Sequence, residues 1–383
     1  MADTKISQLP AATTPLSGTE LVPVVQSGAT VQTPISDVTA PCAKLASANT
    51  FTTNQTVTGT LVMASSFLRN RIINGDMRID QRNAGASVTA NSNYTVDRWK
   101  AVTSLASKFT VQQSSTAPTG HTKSIVITSS SAYSVLASDT FSMAQVVEGF
   151  NAADFMWGTA SAATVTISFW VRSSLTGTFG GSITNGSRSY PFSYTINSAN
   201  TFEYKTVVIP GDTTGTWPTD NSAAFALYFG LGSGSTFSGT SGSWQAGNFV
   251  QPTGTVSVVG TNGATWYITG VQLEAGSVAT PFERRLYGQE FALCQRYYQS
   301  GVLWGIGYGA ASGNFGASYS FKVPLRATAT IAQGANNYLF ASSNITGTTS
   351  SYFADVNSVI AYRVVTALGA CQFSESFTAS AEL

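Results

Sequence analysis

From about residue 69 to 287 the chain repeats one pattern: a short run in which apolar and polar side chains alternate, then a break at Gly, Asn, Ser or Pro. The pattern is sharpest over residues 164–171. Val165, Ile167, Phe169 and Val171 fall on one side, and Thr164, Thr166, Ser168 and Trp170 on the other. A period of two belongs to a half-buried strand, so Trp170 is an aromatic ring on an otherwise polar face. Residues 124–128, 204–209, 224–229 and 265–273 read as further strands. Short strands with frequent turns predict an antiparallel sandwich or barrel. A stretch of roughly 220 residues fits one large sandwich.

The polar side of the pattern is made by Ser, Thr, Asn and Gly rather than by charge. Charged residues are 10% of the 383, against about 25% in ordinary soluble proteins. Apolar residues at 43% and aromatics at 11% supply enough material for cores, so the low charge does not signal disorder. Net charge is +1, and the densest basic group, Arg69, Arg71, Arg78 and Arg82, is interleaved with Asp76 and Asp80. A nucleic-acid partner needs clustered cations to neutralise phosphates, and none is expected here. No run approaches the roughly 18 apolar residues of a membrane helix, and no signal peptide or membrane insertion is expected. Cys42, Cys294 and Cys371 are far apart and odd in number, which implies neither a zinc site nor a disulfide framework.

Four segments follow from this reading. Residues 1–38 form a small unit with two strands, 21–25 and 30–33, around Ser27-Gly28. Residues 39–68 are a Ser/Thr-rich stem or linker. Residues 69–287 are the sandwich. Residues 288–383 are a C-terminal β domain with strands at 302–308, 319–323, 327–331 and 358–365, entered by a helix predicted over 281–298. The first two segments are too small to bury private cores, so a homotrimer is expected to supply partners.

Two sets of motifs carry a resemblance. Asp3 to Pro10 (DTKISQLP) with Gly18 to Gln26 (GTELVPVVQ) resembles the N-terminal segment of tailed-phage fibre and appendage proteins. Asn70 to Met77 (NRIINGDM) with Tyr94 to Trp99 (YTVDRW) resembles the opening of the sandwich domain in tail-fibre-like proteins. Its close is similar to Gly270 to Glu274 (GVQLE), Pro281 to Arg285 (PFERR) and Cys294 to Tyr298 (CQRYY). The pairing of Asn74-Gly75-Asp76 with Val271-Gln272-Leu273-Glu274 is also similar to jelly-roll carbohydrate-binding modules. The resemblance implies an all-β, jelly-roll-like sandwich in a structural protein on the virion surface, made in the host cytoplasm. It further implies a tail fibre that attaches to another virion protein through Ile6, Leu9, Leu21 and Val24 and presents its β domains to host surface glycans. A head fibre or decoration protein without a receptor role is the alternative, and a polysaccharide depolymerase a third.

The inventory for catalysis is poor. The one histidine, His121, sits in a turn-like stretch and reads as an exposed loop residue. No His/Cys/Asp/Glu spacing suits a metal, and no Gly-x-Ser-x-Gly elbow joins a strand to a helix. Carboxylates such as Asp76, Asp80, Asp97, Asp139, Glu148, Asp154 and Glu274 are scattered, and glycosidase chemistry needs two of them across a cleft. No enzyme activity and no cofactor is therefore expected, while a structural calcium on groups such as Asp76 and Asp97 stays open. Recognition falls to aromatics, whose faces stack on sugar C–H groups while Asn, Asp or Gln take the hydroxyls. Trp157, Trp170, Trp217, Trp244, Trp304 and Tyr308 are candidates. Trp217 and Trp244, in turn-rich stretches, are the expected loop-displayed rings. Trp304, Tyr308 and Phe315, in a Gly-rich stretch, suit either a contact surface or a packed interface between copies.

Overall fold

A computed structural model of the chain describes residues 21–26, 29–34, 69–338, 344–345 and 350–383. The chain divides into two compact units, Met1–Met63 and Ala64–Leu383. In the first, β1 (Leu21–Gln26) and β2 (Ala29–Pro34) form an antiparallel hairpin in which Val24 pairs with Val31. Leu21 is exposed. Ile6, Leu9, Cys42 and the stem at 39–68 lie outside the described residues.

Most of the second unit is an antiparallel, jelly-roll-like sandwich of two six-stranded sheets. The first runs β14 (Gln245–Ala246), β10 (Arg188–Ile196), β9 (Gly177–Thr184), β12 (Ala223–Ser233), β7 (Thr140–Glu148) and β4 (Lys100–Thr103). The second runs β11 (Glu203–Ile209), β8 (Val165–Ser173), β16 (Thr265–Ala275), β6 (Ser124–Ser129), β5 (Phe109–Ser114) and β3 (Val88–Thr89). A short parallel pair, β13 (Ser238–Gly239) and β15 (Gln251–Pro252), straps the outside of the first sheet, where the Pro252 ring lies over Gly180. Inside, Val165, Ile167, Phe169 and Val171 of β8 share one core with Phe225, Leu227, Phe229 and Leu231 of β12. Each such side chain contributes about 1.5–3 kcal/mol by leaving water.

The C-terminal domain is a smaller sandwich. β17 (Tyr298–Gly309), β22 (Gly369–Ser380) and β19 (Thr330–Tyr338) form one sheet; β18 (Asn314–Ser320), β21 (Ser358–Val364) and β20 (Ser351–Ala354) form the other. Leu303, Val359, Phe373 and Phe377 fill the space between them. The strand expected at 319–323 ends at Ser320, where the chain turns and Phe321 N–H bonds to the Asn357 carbonyl. The strand expected at 327–331 begins only at Thr330.

The helix is shorter than periodicity predicts: α1 spans Tyr287–Gln295 instead of 281–298. The reason is tertiary. Residues 281–286 are laid along the sandwich, where Glu283 N–H donates to Gln272 Oε1 at 2.7 Å and the Arg285 guanidinium donates to the carbonyls of Asn70 and Ile72. A helical turn there would break all three bonds.

The motifs that carry the family resemblance converge on this joint. Asn74 takes the left-handed conformation (φ 56°), and its amide bridges Ile79 and the Asp97 carbonyl. Gly75 passes so close to Val271 that any Cβ would meet the Val271 carbonyl oxygen. Asn70 Oδ1 receives Leu273 N–H at 3.0 Å, and Trp99 Nε1 donates to the Asn74 carbonyl at 3.1 Å. Arg98 is wholly buried, stacks on the Tyr297 ring at 3.5 Å and pairs with Glu382. Arg296 holds Glu148 in a two-point contact at 2.6 and 3.1 Å, and Tyr297 donates to the same carboxylate. The Asn70, Asn74, Gly75 and Trp99 contacts lock the opening segment into the large sandwich, and those of Arg98, Glu148, Arg296, Tyr297 and Glu382 fasten it to the C-terminal one.

Asp97 gives the joint a titration signature. Burial pushes its carboxyl up to about 6, against two hydrogen bonds from Gln81 that pull it down. The folded chain therefore holds this proton more tightly than the unfolded one, whose pKa is about 3.9. Stability from this group is fully present below about pH 4 and is lost as pH rises through about 6. Carbon-13 NMR of labelled aspartate is expected to show one carboxyl with a midpoint near pH 6. A full set of ordinary midpoints near 4 would contradict the assignment.

Candidate functional site

The structure redistributes the candidate aromatics. Trp157, Trp217 and Trp244 form one edge-to-face cluster with centroids 4.9–5.5 Å apart. Trp157 and Trp217 are buried, and Trp217 Nε1 donates to the Thr214 carbonyl at 3.0 Å. Trp244 is half-buried and bonds the Pro210 carbonyl at 2.7 Å. The expectation of loop-displayed rings at Trp217 and Trp244 therefore does not hold. Trp157 and Trp217 close the open end of the core against Phe225, and all three N–H groups are taken by backbone carbonyls of the surrounding loops. Trp170 does stand on the outer face of the second sheet, beside Tyr204 at 5.4 Å. Trp304 and Tyr308 are exposed, while Phe315 is half-buried against Phe373.

His121 is not the exposed loop residue expected. It is half-buried, meets Phe282 edge-on at 5.3 Å and lies beneath Gly270, where any side chain would strike it. Burial and the nearby Arg284 hold its pKa below the usual histidine value. Asp76 is taken by Arg78, and both oxygens of Asp97 accept from Gln81. Among the described residues no group of three or more His, Cys, Asp or Glu could hold a metal ion.

A groove that no sequence motif marks lies on the outer face of the first sheet. Phe225, Leu227 and Phe229 point into the core, so the intervening Ala226 and Tyr228 face outward across β12. On β9 the same alternation turns Ser182 and Thr184 outward, and on β7 Ala144 and Val146. Small residues on either side of Tyr228 leave a depression of about 270 Å³, lined by Val146, Thr184, Asn185, Tyr228, Asn248 and Leu383. The strap carrying Asn248 bounds one side. Leu383 bounds another, held by Tyr94 O–H on its carbonyl at 2.6 Å.

The chemistry of this groove is neutral and polar on an apolar floor. Tyr228 is half-buried, and its hydroxyl makes no hydrogen bond among the described residues. Burial raises its pKa, so it stays a neutral donor and acceptor. Thr184 donates to Asn248 Oδ1 at 3.4 Å, which leaves the Asn248 amide hydrogens to face solvent. One pleat further along, Ser142 Oγ and Gln251 Oε1 are buried without partners. Asn185 is already committed, accepting from Ser187 and Arg188 N–H and donating to Thr216. Such a groove suits a neutral ligand with hydroxyls and a C–H face. None of the side chains that line it is charged.

No protein-family model matches the chain, and no curated protein matches it. Among solved structures it is similar to a candidate sugar binding protein from Bacteroides thetaiotaomicron, at 13% identity, covering 54% of this chain and 100% of that one, with a TM-score of 0.33. It is similar also to a family 11 carbohydrate-binding module from Clostridium thermocellum in complex with a mixed-linked tetrasaccharide (12% identity, 51% and 98% covered, TM-score 0.25). A third is the xylan-binding domain of Paenibacillus barcinonensis Xyn10C (11%, 51% and 99%, TM-score 0.22). At these identities and scores the likenesses carry no ligand to this chain.

Proposed function

We propose that this chain is a non-catalytic glycan-binding component of a tailed-phage surface appendage. It is made in the host cytoplasm, assembles as a homotrimer, and is anchored to another virion protein through residues 1–38. The observation that carries the binding half is the groove on the first sheet. Its floor is apolar, its walls offer the Tyr228 O–H and the Asn248 amide hydrogens, which have no partners among the described residues, and none of its lining side chains is charged. A sugar ring meets those terms, because it buries a C–H face while its hydroxyls need neutral donors and acceptors. The appendage half rests on the N-terminal and joint motifs described above. A tail fibre is favoured over a head fibre or decoration protein because a ligand groove has work to do only where the particle meets a host.

The test uses the full chain on an array of bacterial surface polysaccharides, with Tyr228→Phe beside it. The wild type is expected to be retained by at least one glycan without releasing reducing ends. Tyr228→Phe should bind about 2–10-fold more weakly, the value of one net hydrogen bond. Its melting temperature should be unchanged, since the hydroxyl makes no hydrogen bond among the described residues. Equal retention of both proteins, or no retention of either, would remove the groove from the account.

A further inference from the structure

The outer faces of the C-terminal sandwich are apolar on both sides. On β17 the side chains facing away from the core are Val302, Trp304, Ile306 and Tyr308, between 50% and 73% exposed. On the opposite sheet Phe353, Ile360 and Val364 face outward in the same way, and Leu368 follows in the turn before β22. Their neighbours across the strands are Gly316, Ser318, Gln372, Ser374 and Ser376, so neither face carries a charge. Residues 299–383 contain only six charged side chains, and none lies on either face. Arg363 and Glu375 are inside the core, Arg326 and Glu382 are in the joint, and Lys322 and Asp355 are in turns.

Four such side chains on each side leave on the order of 400–500 Å² per face in water, the size of the largest patch of a typical monomer, and a ring that used both faces would cover about 900 Å² of each protomer. β17 adds a second liability. It is an edge strand of twelve residues with no Lys, no Pro and no register shift, the form that pairs with another chain unless something covers it.

We propose that copies of this chain meet here, the Val302–Tyr308 face of one protomer packing against the C-terminal sandwich of the next. A second copy is the occupant that the faces themselves favour. Uncharged surfaces can meet their own kind without like-charge repulsion. One sandwich also offers two apolar faces of similar extent, so each protomer supplies both halves of a head-to-tail contact, the kind that closes into a ring. The inference rests on the homotrimer reading and adds where the protomers touch.

The experiment takes the full chain with Ile306→Cys, and separately with Thr206→Cys on the exposed edge strand β11 as a reference. Sedimentation velocity at micromolar concentration gives the mass. Maleimide modification under native conditions, followed peptide by peptide, gives the accessibility of each introduced thiol. The expected result is a trimer in which the thiol at position 306 reacts at least tenfold more slowly than that at 206. In a lone protomer position 306 is 69% exposed and nothing would protect it. A trimer in which both thiols react equally fast overturns this contact and leaves the trimer standing. A stable monomer overturns both.

Discussion

Replacing Glu382 with alanine is expected to release the C-terminal sandwich from the large one and cost about 3–5 kcal/mol, the usual penalty for stripping one member from a buried ion pair. Glu382 is the shared anion of two guanidiniums, Arg98 and Arg82, the second at 2.8 Å. Arg98 is 1% exposed and sits in a left-handed backbone conformation (φ 69°), so it cannot swing into water when its partner is removed. Its remaining bonds, to the Val146 carbonyl at 2.6 Å and to the Tyr297 face, leave the charge uncompensated. Arg82 is more exposed, and Arg82→Ala should cost less. Urea unfolding should show an earlier first transition, with proteolysis appearing between α1 and β17. A change below about 1 kcal/mol would mean that the joint is held by its apolar contacts alone.

Glu375→Ala should melt the C-terminal sandwich at a similar cost while leaving the large sandwich folded. Glu375 is fully buried in the smaller core and takes four donors: Arg363, Ser350 Oγ at 2.6 Å, Tyr352 O–H at 2.7 Å and Gln333 Nε2 at 3.2 Å. Removing it takes the counter-ion from a buried guanidinium and the carboxylate acceptor from two hydroxyls. The double change Arg363→Met with Glu375→Leu should recover much of the loss, because apolar residues of similar volume carry no desolvation penalty. Hydrogen exchange would read this directly, with protection lost over residues 298–380 and kept over 165–275. Loss of protection in both regions at once would show that the two sandwiches unfold as a single cooperative body.

Periodicity made the architecture legible because it reports which face of a strand is dry. Residues 164–171 illustrate it: the four alternate apolar residues are all at 0% exposure, and Trp170 lies outside, as the alternation required. The joint was legible as motif but not as role. Asn74, Gly75 and Arg98 stand out in sequence, yet the residues they meet, Glu290, Val271 and Glu382, lie up to 284 positions away, so nothing local says what they fasten. Trp217 and Trp244 misled for the same reason. Gly and Pro around them announce a turn, but whether a turn's ring faces solvent or caps a core depends on Phe225 and Trp157, which only the fold brings near. The groove was silent because its makers are ordinary strand residues. Tyr228 and Thr184 read as the outward half of an alternation, and the hollow arises from the small side chains beside them.

Hydrogen exchange on the full chain, with and without a glycan that it retains, would locate the surface that binds it. Slowed exchange is expected at 184–186, 223–228 and 248, along the groove on the first sheet, with the Trp170–Tyr204 face and residues 302–315 unchanged. Slowed exchange at Trp170 and Tyr204 or along 302–315, with the groove unaffected, would contradict binding in the groove.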